Sequence, residues 1–366
     1  MFKISVYKEF DENIKKIWKK IEKNESVTFF QTYDWIYSWY LNVAKKNNKI
    51  EIAIILIQIN EEVTDILPLC IENIYTFKIL KFMGGYNTDY MSPISSTNSF
   101  FKIKNNNLKQ IKNLFKKNLP KFDIIHFQNL IEEHQKNKNF FISNFNCKKQ
   151  EISYKVNFKL LSEDIYFKQV SKKFLNDIKR QIRRLKQFGK LELVFPDSKK
   201  NFDLFLKSLI DLKDIQYKKT KNSLFSYPGY KKMYIDYSSN PYTKKIIHLC
   251  SLKIDNKIIS SHYGFIKDKV LYFVMPAYDE KWYKYSPGNV MIYYLIKHCY
   301  KNSIRTLDFT DGENFYKRKW ANEVKNIYEI HIIFTIKGFI FSIFLKIKLF
   351  LLKYKLLRIL IKTFRN

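Results

Sequence analysis

The chain has 366 residues, 46% of them apolar and 17% aromatic, enough to pack cores for two domains and too much for a globally disordered protein. Its formal charge is +32, but lysine is spread through every segment, so most of that charge reads as solvated surface and not as a nucleic-acid groove. Four cysteines, Cys70, Cys147, Cys250 and Cys299, stand far apart without a C-x-x-C pair, and the six histidines show no ligand spacing, so reduced thiols and no metal are expected.

Met1 to Lys20 is charged and lacks an apolar signal segment. Two helices follow, near Asp11 to Lys23 and Tyr33 to Lys45, the second placing Trp35 and Trp39 on one face by i, i+4 spacing. Strands are predicted over Glu51 to Ile59 and Thr64 to Glu72. A basic helix, Leu108 to Lys117, leads into a strand at Asp123 to Phe127. Residues 136–151, rich in Asn and Lys and without period, mark a join. The expected division is 1–150, 151–330 and a tail, 331–366.

The next helix, Ser171 to Phe188, closes on Gly189 as a C-cap signal. It carries Arg180, Arg183 and Arg184, three of only seven arginines. Where lysine is the default, a retained arginine suggests a planar fork for phosphate or carboxylate, so these three are substrate-binding candidates, with a solvated basic helix as the alternative. A helix from Phe202 to Tyr217 and a loop over 222–229 follow. The strands His248 to Ile254 and Lys257 to Phe265 flank Asp255-Asn256 as a hairpin, and His262 reads as structural.

From Val270 the pattern becomes strand (270–279), loop (Tyr285-Ser286-Pro287-Gly288), helix (Asn289 to about Cys299) and strand (306–309). The two strands are predicted parallel, joined by a right-handed crossover. Helix 108–117 before strand 123–127 echoes this order, which points to a duplicated α/β unit. Amides around Ser286, Gly288, Asn289 and Val290 would face an anion at the helix start, although Pro287 removes one donor and an ordinary Pro-Gly turn has the same letters. Asp308 and Asp311 lie at the carboxyl end of a parallel strand and are candidate proton acceptors; a cap and a turn are the alternatives. Tyr316 or Lys317 would protonate a leaving group or stabilise an oxyanion. Tyr278, Asp279 and Trp282 are candidate acceptor contacts. No Ser-His-Asp set or Walker loop is present.

After Glu329 no acidic residue remains, and from Lys355 basic and apolar side chains take opposite helical faces. The longest apolar run there, 338–345, is far short of the ~20 residues a bilayer span needs. The expectation is a cytoplasmic protein, peripheral at the inner face of an anionic membrane through 337–366.

Several of these words, in order over roughly residues 28–322, resemble the acyltransferase half of the GNAT superfamily, in the subgroup of CelD-type cellulose-biosynthesis proteins. They are Phe30-Gln31-Thr32-Tyr33-Asp34-Trp35 with Trp39, Leu67-Pro68-Leu69, Gly84 with Asp89-Tyr90-x-x-Pro93, the helix around Arg180, Ala277-Tyr278-Asp279 through Gly288, Asp308-Phe309-x-x-Gly312 and Tyr316-Lys317-x-x-Trp320. Two such halves also resemble the Fem-type peptidyltransferases, in which a similar aromatic-Lys pair follows an Asp-x-Gly-like turn. The resemblance implies an α/β (α+β) fold with two GNAT-like mixed-sheet halves plus a basic C-terminal helix. It implies N- or O-acyl transfer from acyl-CoA to a sugar, polysaccharide or cell-envelope precursor. The Fem likeness implies aminoacyl-tRNA as donor instead. A non-catalytic basic protein binding nucleic acid or membrane is the reading from another class.

Overall fold

Alternating apolar runs build the frame. The computed structural model describes residues 2–23, 27–96, 99, 108–134, 137–159, 161–220 and 224–353. Its strands are β1 (Phe2–Tyr7), β2 (Ile50–Ile59), β3 (Glu62–Ile74), β4 (Phe77–Phe82), β5 (Ile94–Ser95), β6 (Ile124–Ile131), β7 (Glu133–His134), β8 (Asn137–Lys138), β9 (Cys147–Asn157), β10 (Leu191–Val194), β11 (Ile247–Ile254), β12 (Lys257–Lys267), β13 (Val270–Tyr278), β14 (Thr306–Asp311) and β15 (Glu323–Ile333). The helices are α1 (Glu12–Ile21), α2 (Tyr33–Trp39), α3 (Leu108–Asn118), α4 (Phe140–Asn144), α5 (Glu163–Gln169), α6 (Lys172–Lys186), α7 (Lys199–Thr220), α8 (Tyr230–Ser239), α9 (Pro241–Lys244), α10 (Pro287–Lys301), α11 (Phe315–Trp320) and α12 (Ile336–Lys353).

One mixed sheet runs β1-β2-β3-β4-β6-β15-β9-β14-β13-β12-β11-β10, with β5 on β3. An antiparallel meander at each end leads inward to one parallel pair. Ile79 of β4 lies opposite Ile124 of β6, and Val270 of β13 opposite Thr306 of β14. The two mixed-sheet halves anticipated from the element order are therefore present.

Their connection is the new feature. Strand β9 follows β6 in the chain but pairs with β14 and β15, while β15 follows β14 but pairs with β6 and β9. Each half gives its last strand to the other. The expected 150/151 boundary falls inside β9. Its first residues look like a linker because Lys148 and Lys149 are exposed, and burial begins only at Ser153.

Cores follow the same logic. Trp35 and Trp39 of α2 are both buried, as their spacing predicts, and they share a core with Phe265 and Tyr272 of the second half. Phe29 stacks on Phe265 at 3.5 Å between centroids. A second core holds α6 and α10 against β11–β14 through Ile178, Leu185, Leu252, Leu271, Val290 and Leu295. Burying a large apolar side chain contributes about 1.5–3 kcal/mol, so the joint core makes the two halves mutually dependent.

The anticipated tail at 331 begins inside β15. Helix α12 docks through Phe341, packed on Phe77, Ile79 and Ile124, and through Gly338 against the Asp123 carbonyl. Ile336, Phe339, Ile340, Ile343, Phe344, Ile347 and Phe350 stay exposed. Among the described residues no helix is long and apolar enough to cross a membrane. The amphipathic stretch expected from Lys355 lies outside the described residues.

Candidate active site

The parallel ladder between β13 and β14 lasts only from Val270/Thr306 to Tyr272/Asp308. Beyond it β13 continues against β12 and β14 against β9, so the two strands part. A cleft of about 1000 Å³ opens there. The second half lines it with Phe273 to Pro276, Tyr278, Ser286 to Asn289, Thr310 and Asp311; the first half contributes Tyr86, Asn87 and Asp89.

Helix α10 points its first turn into this cleft. Ser286, the N-cap, is left-handed at φ 50°, ψ 50° and makes no side-chain cap bond. Pro287 has no N–H, and the Val290 N–H donates to the Ser286 carbonyl at 3.1 Å. Helix geometry then leaves Gly288 and Asn289 as the first-turn donors. Val290 does not join them: its amide is used and its side chain is fully buried in the core. The Asn289 carboxamide accepts from Trp320 Nε1 at 3.0 Å, tying α10 to α11. Gly288 is unusual among the glycines, because a Cβ there would meet nothing within 4 Å. Packing does not demand a glycine at this position.

A bulge shapes the end of β14. Asp308 lies opposite Lys155 and Asp311 opposite Ser153, so β14 carries one extra residue. Thr310 absorbs it at φ 59°, a left-handed conformation that β-branched residues rarely adopt. The Thr310 N–H donates to Asp308 Oδ1 at 2.8 Å, and Tyr90 Oη donates to the same oxygen at 2.6 Å. Asp308 Oδ2 pairs with Lys155 Nζ at 2.9 Å. With its side chain 1% exposed, Asp308 does not line the cleft. Its carboxylate is held by these partners and fixes the bulge, so the expectation that it meets an attacking nucleophile is corrected.

Asp311 does line the cleft, with Asp89 and Lys317 beside it. Lys317, on α11, is buried and its ammonium donates to the Asp311 carbonyl. Burial raises the Asp89 carboxyl well above the usual range, Asp311 adds to this, and a bond from Thr310 opposes it. Burial also raises Asp311, against the pull of Lys317. The Lys317 amine is lowered by burial, with Asp311 and Asp89 opposing. Two carboxyls and an amine therefore lie together in a poorly solvated corner, the environment expected of acid–base groups. Tyr316 also faces the cleft, its hydroxyl pushed up to about 12 by burial.

The remaining candidates divide. Tyr278 lines the cleft; Asp279 instead caps the turn at 280–285, accepting from Lys281 N at 3.0 Å. Trp282 packs on Phe188 and Tyr285, away from the cleft. The arginine clamp is not assembled at this site. Helix α6 buries Phe174, Leu175, Ile178 and Leu185, which turns the arginines outward. Arg180 pairs with Asp177, Arg183 shares a separate shallow depression with Arg180 and Lys319, and Arg184 lies 4.8 Å over the Tyr285 ring. Asp89 and Lys213 also line the cleft; in the sequence Asp89 stands only within the Asp89-Tyr90-x-x-Pro93 word, and Lys213 is hidden among many lysines.

Residues 172–318 match the family model of the acetyltransferase (GNAT) domain. That span holds every cleft residue supplied by the second half. No curated protein matches the chain in sequence. Among solved structures, FemX is similar at 10% identity with a TM-score of 0.57, covering 88% of this chain and 96% of that one. The C-terminal domain of a putative lysylphosphatidylglycerol synthetase from Agrobacterium fabrum is 8% identical with a TM-score of 0.53, covering 90% and 93%. L-PGS from Bacillus licheniformis is 11% identical with a TM-score of 0.52, covering 91% and 95%. The likeness is one of fold, and it takes in both halves: the chain has a GNAT-like fold.

Proposed function

We propose that the protein is an acyltransferase that moves an acyl group from acyl-CoA to an amine or hydroxyl of a sugar, polysaccharide or cell-envelope precursor. The observation that carries this reading is the Asp89–Asp311–Lys317 cluster facing the Gly288 and Asn289 amides where β13 and β14 part. Asp311 takes the proton of the acceptor as its nitrogen or oxygen bonds to the thioester carbon. The two amides stabilise the oxyanion that forms. As the C–S bond breaks, Tyr316 or Lys317 returns a proton to the thiolate. The first-half residue Asp89, its carboxyl raised by burial and by the charge of Asp311, lines the same corner of the cleft.

An envelope acceptor is supported by the name lysylphosphatidylglycerol synthetase, which specifies an aminoacylated lipid as the product of that structural neighbour. The sugar acceptor rests on the CelD-type words. A second donor, an aminoacyl-tRNA ester, is favoured by one observation. Pro287 and the engaged Val290 amide leave little to hold a pyrophosphate. Our reading of location is the inner face of the membrane. The apolar row of α12, with Lys337 and Lys346 exposed beside it and no carboxylate after Glu329, suits an anionic lipid surface.

Asp311→Asn should lower kcat by roughly 10²–10⁴-fold with KM little changed. Gly288→Val should keep the wild-type melting temperature and lose donor binding in calorimetry, because the added branch fills only the open space before α10. Unchanged turnover in Asp311→Asn would sink the catalytic assignment. Binding of aminoacyl-tRNA but not of CoA would move the donor to the second reading.

A further inference from the structure

Beyond the cleft, the molecule holds a second group of chemistry-bearing side chains. His248 and Cys250 are two residues apart on β11 and therefore share a face. The hairpin register sets Cys250 directly opposite His262 of β12. One ring nitrogen of each histidine and the Cys250 sulfur all lie within 4.8 Å of one another. His248 is 5% exposed, and Cys250 and His262 are fully buried.

The histidine nitrogens have no use in the fold. Neither Nδ1 nor Nε2 of His248 or His262 has a hydrogen-bond partner. An imidazole always carries at least one lone pair or N–H that needs one, and buried polar groups are rarely left without. A second histidine cluster makes the contrast. His126 and His331 each lie 3.4 Å from the Glu329 carboxylate, so those rings have a partner within the fold.

We infer that His248, Cys250 and His262 form a binding site for one Zn²⁺ ion. Two imidazoles and a thiolate are a borderline-soft set, which suits zinc and excludes magnesium or calcium as the preferred ion. Ligand atoms around tetrahedral zinc are about 3.3–3.6 Å apart, so the side chains must close by about 1 Å, a matter of side-chain rotation. Binding forms a Zn–S bond and releases the Cys250 thiol proton to solvent. A water takes the fourth position, as at a three-ligand zinc site. The ion would join β11 to β12 across the hairpin. A zinc site here departs from the sequence expectation of a metal-free chain. H-x-C on one strand and a histidine on the next show no ligand spacing until the hairpin register is known.

The test uses the full chain treated with chelator and titrated with Co²⁺. About one equivalent should bind, with tetrahedral d–d bands and a near-ultraviolet thiolate-to-cobalt charge-transfer band that Zn²⁺ displaces. Cys250→Ser should abolish the charge-transfer band, and Cys147→Ser, outside the cluster, should keep it. Independently of any variant, ZnCl₂ should raise the melting temperature of the chelator-treated wild type, because the ion binds only the folded site. Absence of the band in the wild type, its survival in Cys250→Ser, or a melting temperature that zinc does not move would each overturn the site.

Discussion

Lys213 brings its amine into the cleft, donating to the Pro276 carbonyl at 2.9 Å and to Gln216 Oε1 at 3.2 Å. No carboxylate forms a salt bridge with it among the described residues, and burial lowers its pKa from 10.5 to about 8. The folded value is below the unfolded one, so between pH 8 and 10.5 the unfolded chain binds more protons. Stability should rise with pH across that window, while below pH 8 both states are protonated and the full cost of the buried charge is present. Lys213→Met should therefore be the more stable protein at pH 7, by up to about 3 kcal/mol, with the gap closing towards pH 10.5. Urea unfolding of both proteins at three pH values checks this, and a gap that ignores pH would remove the shifted amine. At this scale the sequence was half legible. Asp308 and Asp311, three apart, would fall on opposite faces of a regular strand. The bulge at Thr310 brings them to one ladder face, and the partners of Asp308, Tyr90 and Lys155, come from elsewhere in the chain. No local pattern announces that Asp308 would be enclosed and Asp311 left facing the cleft.

Among the elements, α10 was readable because its signals are local. It starts at Pro287, two residues before the expected Asn289, since proline at the first helical position loses no hydrogen bond there. Helix α6 lies where its pattern places it, and its arginines face outward, because apolar residues and not charges decide which face docks. Helix α12 invites a direct test. Its exposed row recurs at three- and four-residue steps and so forms one face, opposite the docked Phe341. Phe339→Asp with Ile343→Asp should end sedimentation with vesicles rich in anionic lipid while leaving the melting temperature within a degree or two. A fall of many degrees would mean that this face packs on protein and that the membrane is not its partner. Shortening the chain after Tyr328 is no substitute, because it would cut β15 in half.

At the scale of the whole molecule, the two repeating units were legible because meander, helix and strand each have a local period. The exchange of β9 and β15 was not, because strand pairing across so much chain leaves no local trace. It predicts that residues 1–146 and 147–366 will each fail to fold alone. The first leaves β6 without its partner β15, and the second leaves β15 without β6 and exposes Phe265 and Tyr272. Co-expressed, the two pieces should co-purify as one complex; circular dichroism showing either piece folded alone would contradict the mutual dependence. The exchange also bears on how the cleft is used. Its walls come from both halves, yet the ladders β6–β15, β15–β9 and β9–β14 run between them without a break. A hinge between the halves would have to tear a continuous sheet, so the cleft behaves as a gauge of fixed span and not as a jaw. The separation between Asp89 and the α10 amides is then settled when the chain folds, before any substrate arrives. Selection among acceptors should depend on their length across that span, and a series of homologous acceptors should show a sharp optimum instead of a gradual decline.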